Sequence, residues 1–104
     1  VSIDDIRAAL RPETRLISVM HANNETGVLQ PVAAIGMLAR EHGVRLHIDG
    51  VQAAGKVPVD VRELGCDYYS LSAHKLYAPK GVGALYVKAG APVSAQLLGG
   101  HHER

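Results

Sequence analysis

The apolar positions of the chain change their period several times, and each change marks an element. Ile3, Ile6 and Leu10 fall on one helical face. Ser2 supplies an N-cap hydroxyl ahead of them, Asp4 and Asp5 place negative charge in the first turn, and Pro12 ends the segment. Leu16 to Met20 is a short apolar run that reads as a buried strand, followed by the polar turn His21 to Gly27. Pro31 suits the first turn of a helix reaching about His42, with Val32, Ile35, Leu38 and Ala39 inward and Gly43 just past its end. Val44 to Ile48 reads as a second strand that ends at Asp49-Gly50. A connection with Pro58 and a short helix over Asp60 to Leu64 leads to a third strand, Tyr68 to Leu71, which Ser72-Ala73-His74-Lys75 follows directly. Gly81 and Gly83 precede a last strand, Ala84 to Val87.

Strand, helix, strand, crossover, strand is the order of an α/β fold: a mostly parallel sheet with flanking helices and right-handed crossovers. No internal repeat or low-complexity segment interrupts it. In such sheets ligands gather beyond the carboxyl ends of the strands. Three polar clusters stand at those ends, about 25 residues apart: Asn23-Asn24-Glu25, Asp49 with Gln52, and Ser72-His74-Lys75. They are expected to converge on one site.

Composition narrows the picture. At 104 residues the chain is one domain at most, and 47% hydrophobic residues argue against disorder. Four Tyr with no Phe and no Trp point to an aliphatic core of Val, Leu, Ile and Ala. A net charge of +1 offers no basic stripe for nucleic acid, no run is long enough for a membrane span, and the first residues carry no signal-peptide pattern. The single Cys66 excludes an internal disulfide framework, and a cytoplasmic location is the expected one. The chain opens inside a helix without an initiator Met and closes on the loop-like Gly99-Gly100-His101-His102-Glu103-Arg104. Residues 1–104 are therefore expected to be part of a larger domain.

The three clusters offer an amine, a carboxylate, an imidazole, a hydroxyl and two amides. An amine at a strand end can trap a carbonyl, a lone carboxylate can hold a protonated nitrogen heterocycle, and Ser72 with His74 can hold an anion. Pyridoxal phosphate needs that set. Each residue also has a plainer reading: Lys75 as a solvated loop lysine, Asp49 as a turn residue before Gly50, His74 as a structural histidine. Asn23-Asn24 ahead of Gly27 is an acceptable turn, and Gln52 can cap backbone.

Taken in order, Met20-His21-Ala22-Asn23-Asn24-Glu25-Thr26-Gly27, His47-Ile48-Asp49-Gly50-Val51-Gln52 and Ser72-Ala73-His74-Lys75-Leu76-Tyr77-Ala78-Pro79-Lys80-Gly81 resemble the cysteine desulfurases, class V enzymes of the fold-type-I pyridoxal-phosphate group. The likeness runs through essentially the whole chain, and Gly99-Gly100 with Glu103-Arg104 continues it. It implies that the chain is the central segment of the large, cofactor-binding domain. By the same resemblance Lys75 is the Schiff-base lysine, Asp49 pairs with the pyridine nitrogen, Gln52 and Asn24 sit near the phenolic oxygen, and Ser72 and His74 bind the phosphate. The family takes L-cysteine to L-alanine and passes the sulfur to an enzyme cysteine as a persulfide, which serves iron-sulfur cluster assembly. A homodimer, a small amino-acid substrate and a sulfur-acceptor protein follow as implied partners, with no nucleic acid and no membrane. A selenocysteine lyase, a cysteine-sulfinate enzyme, a small-amino-acid aminotransferase and a catalytically inactive α/β fragment remain alternatives.

The chain departs from the family where Gly50-Val51 replace a frequent Ala-Thr and Ala78 a frequent Gly. The resemblance also implies parts that lie elsewhere: a ring-stacking histidine, further phosphate contacts, the sulfur-accepting cysteine and the arginine for the substrate carboxylate. Cys66, at a strand entrance before Asp67, reads as a small buried thiol. His101-His102-Glu103 lacks a spaced second cluster for a metal site, and His47-Ile48-Asp49 could form half of a metal-hydrolase site because alternate strand residues share a face; no metal is the expected reading. Gly81 and Gly83 precede a strand, which excludes a dinucleotide fingerprint.

Overall fold

The structure is a computed structural model that describes residues 1–97 together with Gly99 and Gly100. Four strands form one sheet in the order β1 (Leu16–Met20), β2 (Arg45–Asp49), β3 (Tyr68–Ser72), β4 (Gly83–Val87). The first three are parallel and β4 runs antiparallel to β3. That reversal follows from chain length. The link from Ser72 to Gly83 is too short for a crossover helix, and only an antiparallel return fits it.

Three helices, α1 (Ile3–Ala9), α2 (Val32–Glu41) and α3 (Val61–Leu64), pack on one face of the sheet. Their ends follow local chemistry. The Ser2 hydroxyl accepts from the Asp5 N–H at 3.0 Å, and Asp60 caps α3 by accepting from the Arg62 N–H at 2.8 Å. Gly43, at φ 66°, takes the left-handed position beyond α2. Within α2, a side chain on Gly36 would overlap the Leu64 carbonyl, so α2 and α3 approach closely only because residue 36 is glycine.

The buried cluster comprises Val32, Ile35, Ala39, Leu46, Ile48, Cys66 and Tyr69, with Ile17, Val19, Leu71 and Tyr86 packed against it from the strands. An all-aliphatic core is thus not what the chain builds. Tyr69, 2% exposed, is the largest fully buried side chain. The alternate strand residues, among them Ser18, His47, Asp49, Ser70 and Ser72, share the opposite face, which no helix covers among the described residues.

Candidate functional site

Strand register brings the three clusters to one edge. Met20 stands opposite Asp49, and Asp49 opposite Ser70, so β1 and β2 end level while β3 runs two residues further to Ser72. Beyond β3 the chain tightens into a 3-10 turn, Ala73–Leu76, which carries His74 and Lys75. The Ser72 hydroxyl and His74 Nδ1 are 2.9 Å apart, leaving His74 exposed and Lys75 half-buried. Tyr77 ends the turn at φ 63°, the only non-glycine residue in the left-handed region among those described.

At the end of β2, Asp49 Oδ1 accepts a hydrogen bond from the Val51 N–H at 3.0 Å. Its second carboxylate oxygen has no hydrogen bond among the described residues. The turn that follows packs toward the lysine segment: a Cβ on Gly55 would lie 2.7 Å from Leu76 Cδ2. In the loop after β1, Asn23 Oδ1 accepts from the Glu25 and Thr26 N–H groups at 2.9 and 3.0 Å, so Asn23 shapes the turn. Asn24 is exposed, and it lines with Gln52, Lys56 and Leu29 a shallow groove of about 290 Å³. The structure therefore pairs Asn24 with Gln52 and Ser72 with His74, with Asp49 between them on the middle strand.

Two residues beneath this edge had no assigned role in the sequence. His21, 6% exposed, places Nδ1 3.1 Å from the Tyr69 hydroxyl, and the rings meet edge to face with centroids 6.1 Å apart. Burial lowers the pKa of His21, and burial first, then the charges of Cys66 and Asp49, raises that of Tyr69. A neutral imidazole and a neutral phenol result. His21 sits within a recognisable motif, but nothing in its spacing marks Tyr69 as its partner 48 positions away.

His47 is committed to its own face of the sheet. Nδ1 lies 2.8 Å from Ser18 Oγ and Nε2 3.3 Å from Ser70 Oγ, which engages both ring nitrogens. Among the described residues no group of three His, Cys, Asp or Glu stands close enough to hold a metal ion. His101, His102, Glu103 and Arg104 lie outside the described residues. Cys66 is 1% exposed at the amino end of β3, and burial, the largest cause, raises its pKa.

The sequence model of the family described as Aminotransferase class-V matches residues 1–103. The chain belongs to the class-V aminotransferase family. It is 58% identical over 101 residues to cysteine desulfurase IscS of Anaeromyxobacter dehalogenans (strain 2CP-C), covering 95% of this chain and 25% of that protein. Against the IscS of Methylococcus capsulatus (strain Bath) the identity is 55%, over 100% of this chain and 26% of the relative. The chain thus spans about a quarter of the length of these curated relatives. Among solved structures it resembles one described as SspA in complex with cysteine, at TM-score 0.92 and 40% identity over 98% of this chain and 30% of the other. A NifS-like protein gives TM-score 0.91 and 36% identity over 98% and 28%. Directly after Asp49, Gly50 lies against the buried ring of Tyr69. A side chain there would overlap the Tyr69 ring, so the glycine and the buried tyrosine go together.

Proposed function

We propose that the whole protein containing this chain is a pyridoxal-phosphate-dependent cysteine desulfurase, converting L-cysteine to L-alanine and passing the sulfur to an enzyme cysteine. The observation that carries the reading is the arrangement of the strand ends. One carboxylate ends β2, and a half-buried lysine and a hydroxyl–imidazole pair stand at the end of the adjacent β3, beside the Asn24 loop that follows β1. This donor set fits the cofactor. The unengaged oxygen of Asp49 suits a protonated ring nitrogen, Ser72 and His74 suit a phosphate, and the amide side chains of Asn24 and Gln52 suit a phenolic oxygen.

When bound, the cofactor supplies an electron sink for the charge left at the substrate α-carbon. The chain's own residues do the rest. Lys75 would hold the cofactor through its ε-amine and, as a free amine, would move a proton at the substrate α-carbon. Asp49 keeps the ring nitrogen protonated by charge and hydrogen bonding. Ser72 and His74 fix the phosphate end, so the ring meets Lys75 in one orientation. Support for cysteine as substrate comes from the relatives named cysteine desulfurase and from the similar protein solved with cysteine. A homodimer, a sulfur-acceptor protein and a cytoplasmic location belong to the same proposal. No helix among the described residues is long and apolar enough to cross a membrane.

The test is direct. The whole protein, incubated with pyridoxal phosphate, should develop a visible absorption band that borohydride fixes as a covalent adduct on Lys75, located by mass spectrometry. It should then release alanine from cysteine. Cofactor uptake with turnover of a different amino acid would retain the cofactor assignment and reject the desulfurase one. No adduct on Lys75 would reject both.

A further inference from the structure

The peptide joining Asp49 to Gly50 is held from both sides. The Asp49 carbonyl accepts from the His21 N–H at 2.8 Å, and the Gly50 N–H donates to the Ser70 carbonyl at 3.0 Å. The residues that grip it are tied to each other beneath it, because Tyr69, next to Ser70 on β3, brings its hydroxyl 3.1 Å from His21 Nδ1. A closed loop results: His21 backbone, the Asp49–Gly50 peptide, Ser70 backbone, Tyr69 side chain, His21 side chain. The Tyr69 ring fills the position that a Gly50 side chain would need, since a Cβ there would overlap its Cε1, Cζ and Oη atoms. Tyr69 and His21 are 2% and 6% exposed, and both are uncharged at neutral pH.

We propose that Tyr69 and His21 are a positioning pair for Asp49, with Gly50 as the complementary vacancy that admits the Tyr69 ring. The role rests on the reading that Asp49 engages the cofactor's ring nitrogen. Neither residue of the pair touches that nitrogen. They act by fixing where β2 ends and hence where the Asp49 carboxylate stands on the open face of the sheet. Hydrogen-bond strength to a protonated nitrogen depends steeply on distance and angle, so a displaced carboxylate holds the proton less well. Removing the Tyr69 hydroxyl strands a buried imidazole nitrogen, and adding a methyl at residue 50 forces the ring out. Both loosen the same clamp.

The experiment uses the whole protein loaded with isotope-labelled pyridoxal phosphate. Its two readouts are the cofactor dissociation constant and the NMR shift of the ring nitrogen, which reports that atom's protonation. Tyr69→Phe and Gly50→Ala are each expected to weaken cofactor binding about tenfold and to move the nitrogen signal toward the unprotonated value. In Gly50→Ala/Tyr69→Leu the space is restored, and binding should return to within about threefold of the Tyr69→Leu single variant. If Gly50→Ala fails to fold, recovery of folding in the double variant supports the same complementarity. Wild-type nitrogen signals and affinities in Tyr69→Phe and Gly50→Ala, whatever their melting temperatures, would overturn the pair, as would a double variant no better than Gly50→Ala. Failure of the wild-type protein to take up the cofactor overturns the functional reading and this role with it. Uptake through Lys75 with unmoved variants overturns the pair alone.

Discussion

Asp67 holds the backbone N–H of Leu46 across the sheet at 2.9 Å, from a side chain that is almost fully buried. Its other oxygen meets Arg45 Nη1 at 3.0 Å, and its own N–H donates to the Leu46 carbonyl at 2.9 Å. Asp67 therefore ties the start of β3 to the start of β2, at the opposite edge from the proposed site.

Asp67→Ala should cost about 3 kcal/mol, because it removes both acceptors and leaves the Leu46 N–H buried without a partner. Asp67→Asn keeps one acceptor and should cost roughly half as much. Urea denaturation reads both. The lysine segment lies at the far end of β3, so cofactor affinity per folded molecule should stay at the wild-type value. A stability loss below about 1 kcal/mol in Asp67→Ala would refute the buried role.

Tyr77 adopts φ 63° with its side chain fully in solvent, so no packing offsets the strain of a left-handed tyrosine. Tyr77→Gly should stabilise the fold by up to about 1 kcal/mol, less the entropy that glycine adds to the unfolded chain. The same change releases the turn that carries Lys75. Cofactor uptake should therefore be slower or weaker in the more stable protein, measured as melting temperature against dissociation constant.

Stability should fall as pH drops below 6.5. Burial holds the His21 pKa beneath that ordinary value, so over this window the unfolded chain binds a proton that the folded chain refuses. The loss continues until pH passes the folded value and then levels off, with a slope of at most about 1.4 kcal/mol per pH unit. Asp60 behaves differently. Its hydrogen bonds to Arg62 lower its pKa from 3.8 to about 2, so its contribution is intact above 3.8 and is lost as pH falls through about 2. Denaturation midpoints measured from pH 8 to pH 3 should show the first limb in the wild type and a flatter one in His21→Gln. An unchanged limb would show that His21 is not its source.

Much of this architecture was readable because its causes are local. The apolar positions of α2, Val32, Ile35, Leu38 and Ala39, are buried as their spacing requires, and the strands lie within one residue of the expected bounds. The three polar clusters were legible for the same reason, since a strand end and its turn are consecutive residues. Relations that cross the sheet were not. Tyr69 has the pattern of any strand residue, and only the missing side chain of Gly50, 19 positions earlier, reveals why an aromatic fits there. Asp67 likewise reads as a polar residue at a strand start until Leu46 and Arg45 are placed beside it. The direction of β4 was recoverable from the link between Ser72 and Gly83, too short to cross over.

Cys66 should resist alkylation while the protein is folded. Its thiol is 1% exposed and burial raises its pKa above the ordinary 9.0, so the reactive thiolate is scarce at neutral pH and shielded when it forms. The same shift has a thermodynamic sign. A group whose folded pKa is raised keeps its stabilising contribution below the unfolded value and loses it as pH climbs toward the folded one, so stability should decline above pH 9. Tyr69, raised from 10.0, extends the decline to higher pH. Maleimide labelling at pH 7.5 should therefore follow the unfolding transition in urea rather than precede it, and Cys66→Ala should flatten the first part of the alkaline limb. If the whole protein is the proposed desulfurase, Cys66→Ala should also leave its persulfide formation intact, because this thiol lies at the amino end of β3 and Lys75 beyond the carboxyl end. Rapid labelling of the folded protein, or loss of persulfide in Cys66→Ala, would place this cysteine in the sulfur-transfer chemistry after all.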